Sequence, residues 1–164
     1  MLRRIAVLDL AGFRFLRTAG HSETLEAAVA RFSALGEHAA VWLALGTAGM
    51  ALDRHRKARW RRGVATVAAA YGLNTAVKLV VRRRRPQIPG LPPLVGTPTE
   101  LSFPSAHAAS SFAAARAYSL LVPAPPLYAL AAALAWSRLY LGLHYPSDAL
   151  AGVCLGLVVG ARAR

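Results

Sequence analysis

Along this chain the charged residues fall in clusters, and between the clusters run apolar stretches of helical length. The first stretch, residues 1–20, sets Arg3 and Arg4 ahead of an apolar segment that Asp9, Arg14 and Arg17 interrupt. A secretory signal has an unbroken apolar centre and a small-residue cleavage site, so this segment predicts a short interfacial helix instead. Ser22 then reads as an N-cap, Glu23 and Glu26 complement the helix dipole, and Leu25, Val29, Phe32 and Leu35 recur at helical spacing. Residues 1–36 are accordingly expected to form two amphipathic helices lying on a surface.

Residues 37–164 read differently, as a transmembrane core. Residues 39–52 carry no charge and predict a short first span, where a bilayer core normally takes about 20 residues. Residues 53–62 hold six Lys or Arg around Trp60, the pattern of a cytoplasmic loop with an interfacial aromatic. A second span is predicted over 63–81. Residues 82–103 contain prolines at 86, 89, 92, 93 and 98 and cannot continue as helix. A third span runs over 104–122, with Ala108, Ser111, Ala114 and Ala115 as small contact faces. Pro123, Pro125 and Pro126 predict a tight turn, and spans at 127–141 and 148–160 complete a count of five. The fold class expected is therefore an all-α polytopic membrane bundle, one domain over 1–164.

Composition sharpens this picture. The chain is 55% hydrophobic and 16% charged, yet carries a net charge of +13. Such a balance suits nucleic acid, an anionic membrane surface or an anionic substrate. Basic residues set between long apolar runs argue for the membrane and against nucleic acid. The single cysteine, Cys154, has no partner for a disulfide or a cysteine metal site, and its apolar setting predicts packing. All the cationic side chains except Lys57 and Lys78 are arginine, so a lysine kept at 78 is informative.

If the spans alternate across the bilayer, the unusual polar residues share one side. Lys78 and Arg85 are seven apart and point together if the helix persists to the residue before Pro86; Arg82 would share that face. Arg82, Arg83 and Arg84 read equally well as an interfacial anchor. At the third span Pro104 presets the first turn, and Ser105 with the free N–H groups there forms a natural phosphate site. His107 sits in that turn, within proton-exchange reach of a bound anion. Asp148, four residues beyond His144, can fix that histidine's tautomer and leave its other nitrogen as base or nucleophile. Ser137 and Arg138 end the fourth span on the same side. His21, His38 and His55 are scattered and the carboxylates sparse, so no metal and no other cofactor is expected. Arg and Lys suffice to stabilise a phosphoryl group in transfer.

These blocks, Lys78-x6-Arg85-Pro86, Pro104-Ser105-Ala106-His107 and Ser137-Arg138-x5-His144-x3-Asp148, resemble the three signatures of the type 2 phosphatidic acid phosphatase family. Carried over by position, the resemblance implies that His144 is a nucleophile forming a phosphohistidine, that Asp148 orients it and that His107 protonates the leaving group. Lys78, Arg85, Ser105, the backbone N–H of Ala106 and Arg138 would bind the phosphoryl oxygens. Ala106 departs from the family's usual glycine, which restricts positive φ and the approach of an anion to the backbone. Residues 36–43 are similar to short bacterial members, including those directed at decaprenyl-linked phosphoribose. The implied partner is a lipid-linked phosphate, polyprenyl first, then phosphatidic acid or phosphatidylglycerol phosphate. A non-catalytic anionic-lipid binder and a vanadate-dependent haloperoxidase are the competing readings; the latter resemble larger soluble chains. Cationic residues at 54–62 with Arg162 and Arg164 set their side as cytoplasmic, against a counterweight from Arg3, Arg4, Arg14, Arg17 and Arg31. An integral protein of the bacterial plasma membrane, with an extracytoplasmic site, is expected.

Overall fold

A computed structural model describes residues 2–163, so Arg164, used in the charge argument, lies outside the described residues. These form seven α-helices: α1 (Leu2–Thr18), α2 (Glu23–Ala34), α3 (Ala40–Leu52), α4 (Lys57–Val81), α5 (Ala106–Tyr118), α6 (Ala124–Tyr140) and α7 (Pro146–Gly160). Among the described residues extended pairing is limited to isolated bridges, Arg84 with Leu101 and Ile88 with Leu91. Ser22 caps α2 as the sequence implies, its side chain accepting from the Leu25 N–H at 3.3 Å.

The bundle is organised around α5, which packs on α4, α6 and most extensively α7. Ala108, Ala109, Ala113, Ala114 and Ala115 are fully enclosed. A helix so surrounded must be thin, and nine of its 13 residues are Ala or Ser, with Tyr118 at its far end. The opposing surface of α7 is a row of glycines: a Cβ at Gly152 would stand 2.5 Å from the Ser105 carbonyl, and one at Gly156 would strike the Ala109 carbonyl. Small residues in register bring the two backbones into contact. Large apolar side chains face outward instead, with Leu79, Val80, Leu150 and Val158 all more than 60% exposed. Helices that contact one another through small residues and expose large apolar side chains are suited to lipid.

Helices stand at all five places where spans are predicted. Two continuous helical stretches, Arg54–Val81 and Pro146–Ala163, are long and apolar enough to cross a membrane. The others are shorter: α3 and α5 have 13 residues each, about 20 Å of helix. Several local expectations are corrected. Pro125 and Pro126 do not make a turn but sit in the first turn of α6, where no N–H is required, with Pro123 as N-cap. Pro104 likewise precedes α5, whose N-cap is Ser105. Trp60 is not an interfacial aromatic: it is 4% exposed, donates to Asp53 Oδ2 at 3.1 Å and packs on Tyr118. Cys154 is exposed, because the glycine face of α7 takes the interior and turns it outward.

The α5–α7 contact predicts a contrast between two glycines. Gly156→Leu must push the α5 backbone away, an overpacking cost of about 1–3 kcal/mol. Gly72→Ala meets open space and gains helix propensity, up to about 1 kcal/mol. Thermal unfolding in detergent should show the first lowering Tm and the second leaving it equal or raised; equal losses would contradict the packing.

Candidate active site

Four short segments meet at one end of α5. The first is the end of α4 and the chain leaving it. Helix α4 stops at Val81 with Arg82 in a left-handed conformation (φ 53°), and residues 83–85 run extended beside 100–102. The Arg85 N–H donates to the Glu100 carbonyl at 2.9 Å, and the Ser102 N–H to that of Arg83 at 2.7 Å. Helical continuity from Lys78 to Arg85 is therefore corrected. A residue before proline is driven from the α region, so Arg85 reaches the site along a strand-like segment, and Arg82 stays exposed. Lys78, buried in the last turn of α4, donates through Nζ to the Leu101 carbonyl at 2.9 Å.

Arg85 is held by the Thr99 carbonyl through Nε (2.9 Å) and by the Leu143 carbonyl through Nη1 (2.8 Å). The same Nη1 lies 3.3 Å from His144 Nε2. Guanidinium only donates, so Nε2 is the unprotonated nitrogen and the proton resides on Nδ1, which faces Asp148 Oδ2 at 3.6 Å. That separation is too long for a hydrogen bond, and the carboxylate acts on the ring through its charge. Burial pushes the His144 imidazole down to about 4, outweighing Asp148, which raises it, with Arg85 lowering it further. Neutral His144 thus keeps a free electron pair on Nε2 at neutral pH.

At the second segment Ser105 caps α5, and its N–H donates to the Asp148 carbonyl at 3.0 Å. Its buried Oγ has no hydrogen-bond partner, nor do Arg138 Nε and His144 Nδ1. Unpartnered buried donors are costly; Arg138 and His144 line a common cavity, and Ser105 immediately precedes Ala106, which also lines it. Ala106 begins α5 in helical geometry and is not among the residues with positive φ, so the alanine is accommodated without strain. His107 Nε2 donates to the Ser33 carbonyl at 3.0 Å. The third segment, the end of α6, supplies Arg138, whose Nη1 donates to Ser33 Oγ at 2.9 Å and lies 3.9 Å from Glu37 Oε2. Gly142, at φ 75°, turns the chain so that His144 enters from the fourth segment, ahead of α7.

Lys78, Arg85, Ala106, His107, Arg138 and His144 line one cavity of about 130 Å³. Ser105 and Asp148 stand directly behind it. All eight sequence-predicted site residues are thereby gathered at one end of the bundle. Among the described residues no three His, Cys, Asp or Glu side chains are grouped as metal ligands.

Other participants had escaped the motif reading. Arg83, which read equally well as an anchor, donates from Nη1 to Asp148 Oδ1 (2.8 Å) and Ser147 Oγ (2.7 Å), and from Nη2 to Asp9 Oδ2 (2.8 Å). Ser33 anchors both His107 and Arg138. At the cavity mouth His38 and Ala39 have φ of 49° and 61°, and His38 Nδ1 lies 2.8 Å from the Tyr71 hydroxyl. Consecutive left-handed non-glycine residues mark backbone held in strain, a signal that only coordinates reveal.

Two histidines, a buried carboxylate and several cationic groups at one end of a helical bundle are a set suited to handling a phosphate ester. Residues 59–163 match the PAP2 superfamily, and the chain belongs to that family. The chain is 43% identical over 130 residues to decaprenylphosphoryl-5-phosphoribose phosphatase of Mycobacterium tuberculosis, covering 79% of this chain and 73% of that protein. The protein of the same name from Mycolicibacterium smegmatis is 45% identical over 122 residues, 73% of this chain and 67% of that one. In fold it is similar to Aquifex aeolicus LpxE, with a TM-score of 0.80, 24% identity, and coverage of 94% and 93% of the two chains. The phosphatidylglycerolphosphate phosphatase of Bacillus subtilis gives a TM-score of 0.78 at 22% identity, covering 98% and 84%. The chain is a phosphoric ester hydrolase of the lipid phosphatase class.

The electrostatics of His144 yield a measurable expectation. In protein labelled with 15N-histidine, the His144 imidazole should remain neutral down to about pH 4. Asp148→Asn should lower that midpoint further, since Asp148 favours the charged ring. A midpoint near the ordinary 6.5 would contradict the burial described.

Proposed function

We propose that this protein hydrolyses a phosphomonoester or pyrophosphate on a lipid carrier, through a phosphohistidine and without a metal. The observation that carries the reading is His144 Nε2, unprotonated, buried and 3.3 Å from the Arg85 guanidinium at the wall of a cationic cavity. Lys78, Arg85 and Arg138, with Ser105 and the N–H of Ala106, hold the nonbridging oxygens and stabilise charge as the phosphoryl group moves. His144 Nε2 forms a bond to phosphorus as the bond to the leaving oxygen breaks, and His107, doubly protonated in the phosphate complex and held at Nε2 by the Ser33 carbonyl, gives that oxygen its Nδ1 proton. The Nδ1 proton stays with His144, and Asp148 offsets the positive ring. Water then attacks phosphorus, loses its proton to His107 and releases inorganic phosphate, restoring neutral His144.

A polyprenyl-linked phosphate is the favoured substrate. Support comes from the relatives named for decaprenylphosphoryl-5-phosphoribose. It also comes from the cavity rim, where Glu37, His38, Tyr71 and Thr75 add polar groups beyond those a phosphoryl group uses. We further assign 1–164 as one unit in a bacterial plasma membrane, with α3 to α7 as five spans of a thinned bundle. Enclosed α5 contacts helices rather than lipid, so its polar composition is compatible with spanning. The site is assigned to the extracytoplasmic side. On that side Arg82 and Arg84 are exposed while Arg17, Arg83, Arg85 and Arg138 are tied up in hydrogen bonds, whereas the opposite loop exposes six, Arg54, Arg56, Lys57, Arg59, Arg61 and Arg62.

Phosphate release from a panel of lipid phosphates tests the reading. Wild-type protein should release phosphate in EDTA and lose activity with vanadate, and His144→Ala should fall to background. His107→Ala should lose roughly 100-fold to 10,000-fold, the usual worth of acid–base catalysis. Activity surviving His144→Ala would favour a different nucleophile, and activity abolished by EDTA would sink the metal-free route.

A further inference from the structure

We propose that Asp9, on the N-terminal helix α1, is a positioning residue for the catalytic carboxylate. The proposal rests on the phosphohistidine reading above. Asp148 has two oxygens with separate duties: Oδ2 accepts from the Tyr145 N–H at 2.8 Å and faces His144, while Oδ1 accepts from Arg83. Arg83 comes from an extended segment and is itself 31% exposed in its side chain, so Asp148 alone does not immobilise it. Asp9 does. Its Oδ2 accepts from Arg83 Nη2 at 2.8 Å and from Ser147 Oγ at 2.6 Å, and its Oδ1 accepts from the Ser147 N–H at 2.9 Å. Ser147 is the residue before Asp148, so one carboxylate clamps both the arginine that holds Asp148 and the first turn of α7 that carries it. Tyr145, under the guanidinium at 4.2 Å, closes the remaining face.

The placement of Asp9 is unusual for a helix whose exposed face is largely apolar. It is 3% exposed on a helix that shows Val7, Leu8 and Phe15 at 67%, 70% and 68%. Hydrogen bonds from Ser147 and Arg83 outweigh the burial that would raise it, holding the Asp9 carboxyl below the usual carboxylate range. A charged group in that position is retained at a cost unless paired, and the pairing found leads straight to the reaction centre. Through it α1 is joined to the site by something more specific than apolar contact.

Asp9 touches neither His144 nor the cavity, so its removal should act on turnover and spare binding. In purified protein hydrolysing its best lipid phosphate, Asp9→Asn should lower kcat roughly tenfold to hundredfold, as loss of an outer partner typically does, with KM within about twofold. Asp9→Glu should recover part of kcat. Ser147→Ala, a milder change, should lower kcat in the same way, and it decides the matter if Asp9→Asn fails to fold. Unchanged kcat in a folded Asp9→Asn or Ser147→Ala protein would overturn the proposal alone, as would a loss carried by KM. Wild-type protein inactive on every lipid phosphate would overturn the underlying reading and the proposal with it.

Discussion

The structure depends on how one fully buried carboxylate, Asp148, is compensated. A lone carboxylate in that position would be neutralised or expelled. Its partners arrive from three directions: Arg83 from the chain after α4, the Tyr145 N–H from its own helix start and the His144 ring from the preceding turn. Its backbone carbonyl also accepts from Ser105, the cap of α5. The N-terminus of α5, with Ser105 and Ala106, and the N-terminus of α7, with Asp148 beside His144, are thereby fixed to each other. The glycine face of α7 continues the same contact along the bundle, which is why no Cβ fits at Gly152 or Gly156. Catalytic geometry and helix packing are one constraint.

That constraint explains the unusual distribution of side chains. The interior is narrow along α5 because small residues let it sit between α4, α6 and α7, while Trp42, Trp60, Tyr118 and Leu134 fill the space beside it and Leu79, Val80, Leu150 and Val158 face outward. The polar end of the interior is then well shielded, and burial acts on everything in it. It depresses the basicity of His144. It leaves Ser105 Oγ and Arg138 Nε without partners, donors poised for oxygen atoms of a ligand.

Helix positions were legible in the sequence because apolar runs, proline and the Ser22 cap are local signals. The eight candidate site residues, which the fold brings together, were legible as a group because their types and spacings are set within three short blocks. Arg83, Asp9 and Ser33 were not. Asp9 meets Ser147 across 138 residues and Ser33 meets Arg138 across 105, and no local pattern encodes such pairs. Trp60 and Cys154 were misplaced for a related reason: composition tells that a segment is apolar, but which face turns inward is decided by the partner helix. The reach of Arg85 by an extended chain, not a helix, follows from Pro86, whose effect on the residue before it outweighs helical periodicity.

The most direct test of the account is whether His144 carries the phosphoryl group. Protein mixed with a lipid phosphate, quenched in alkali within a turnover and digested, should yield a peptide spanning His144 with the added mass of one phosphoryl group. The same peptide from Asp148→Asn should accumulate less of it, and His144→Ala should give none. Phosphoryl found on another residue, or turnover with none trapped while His144→Ala remains active, would contradict the account.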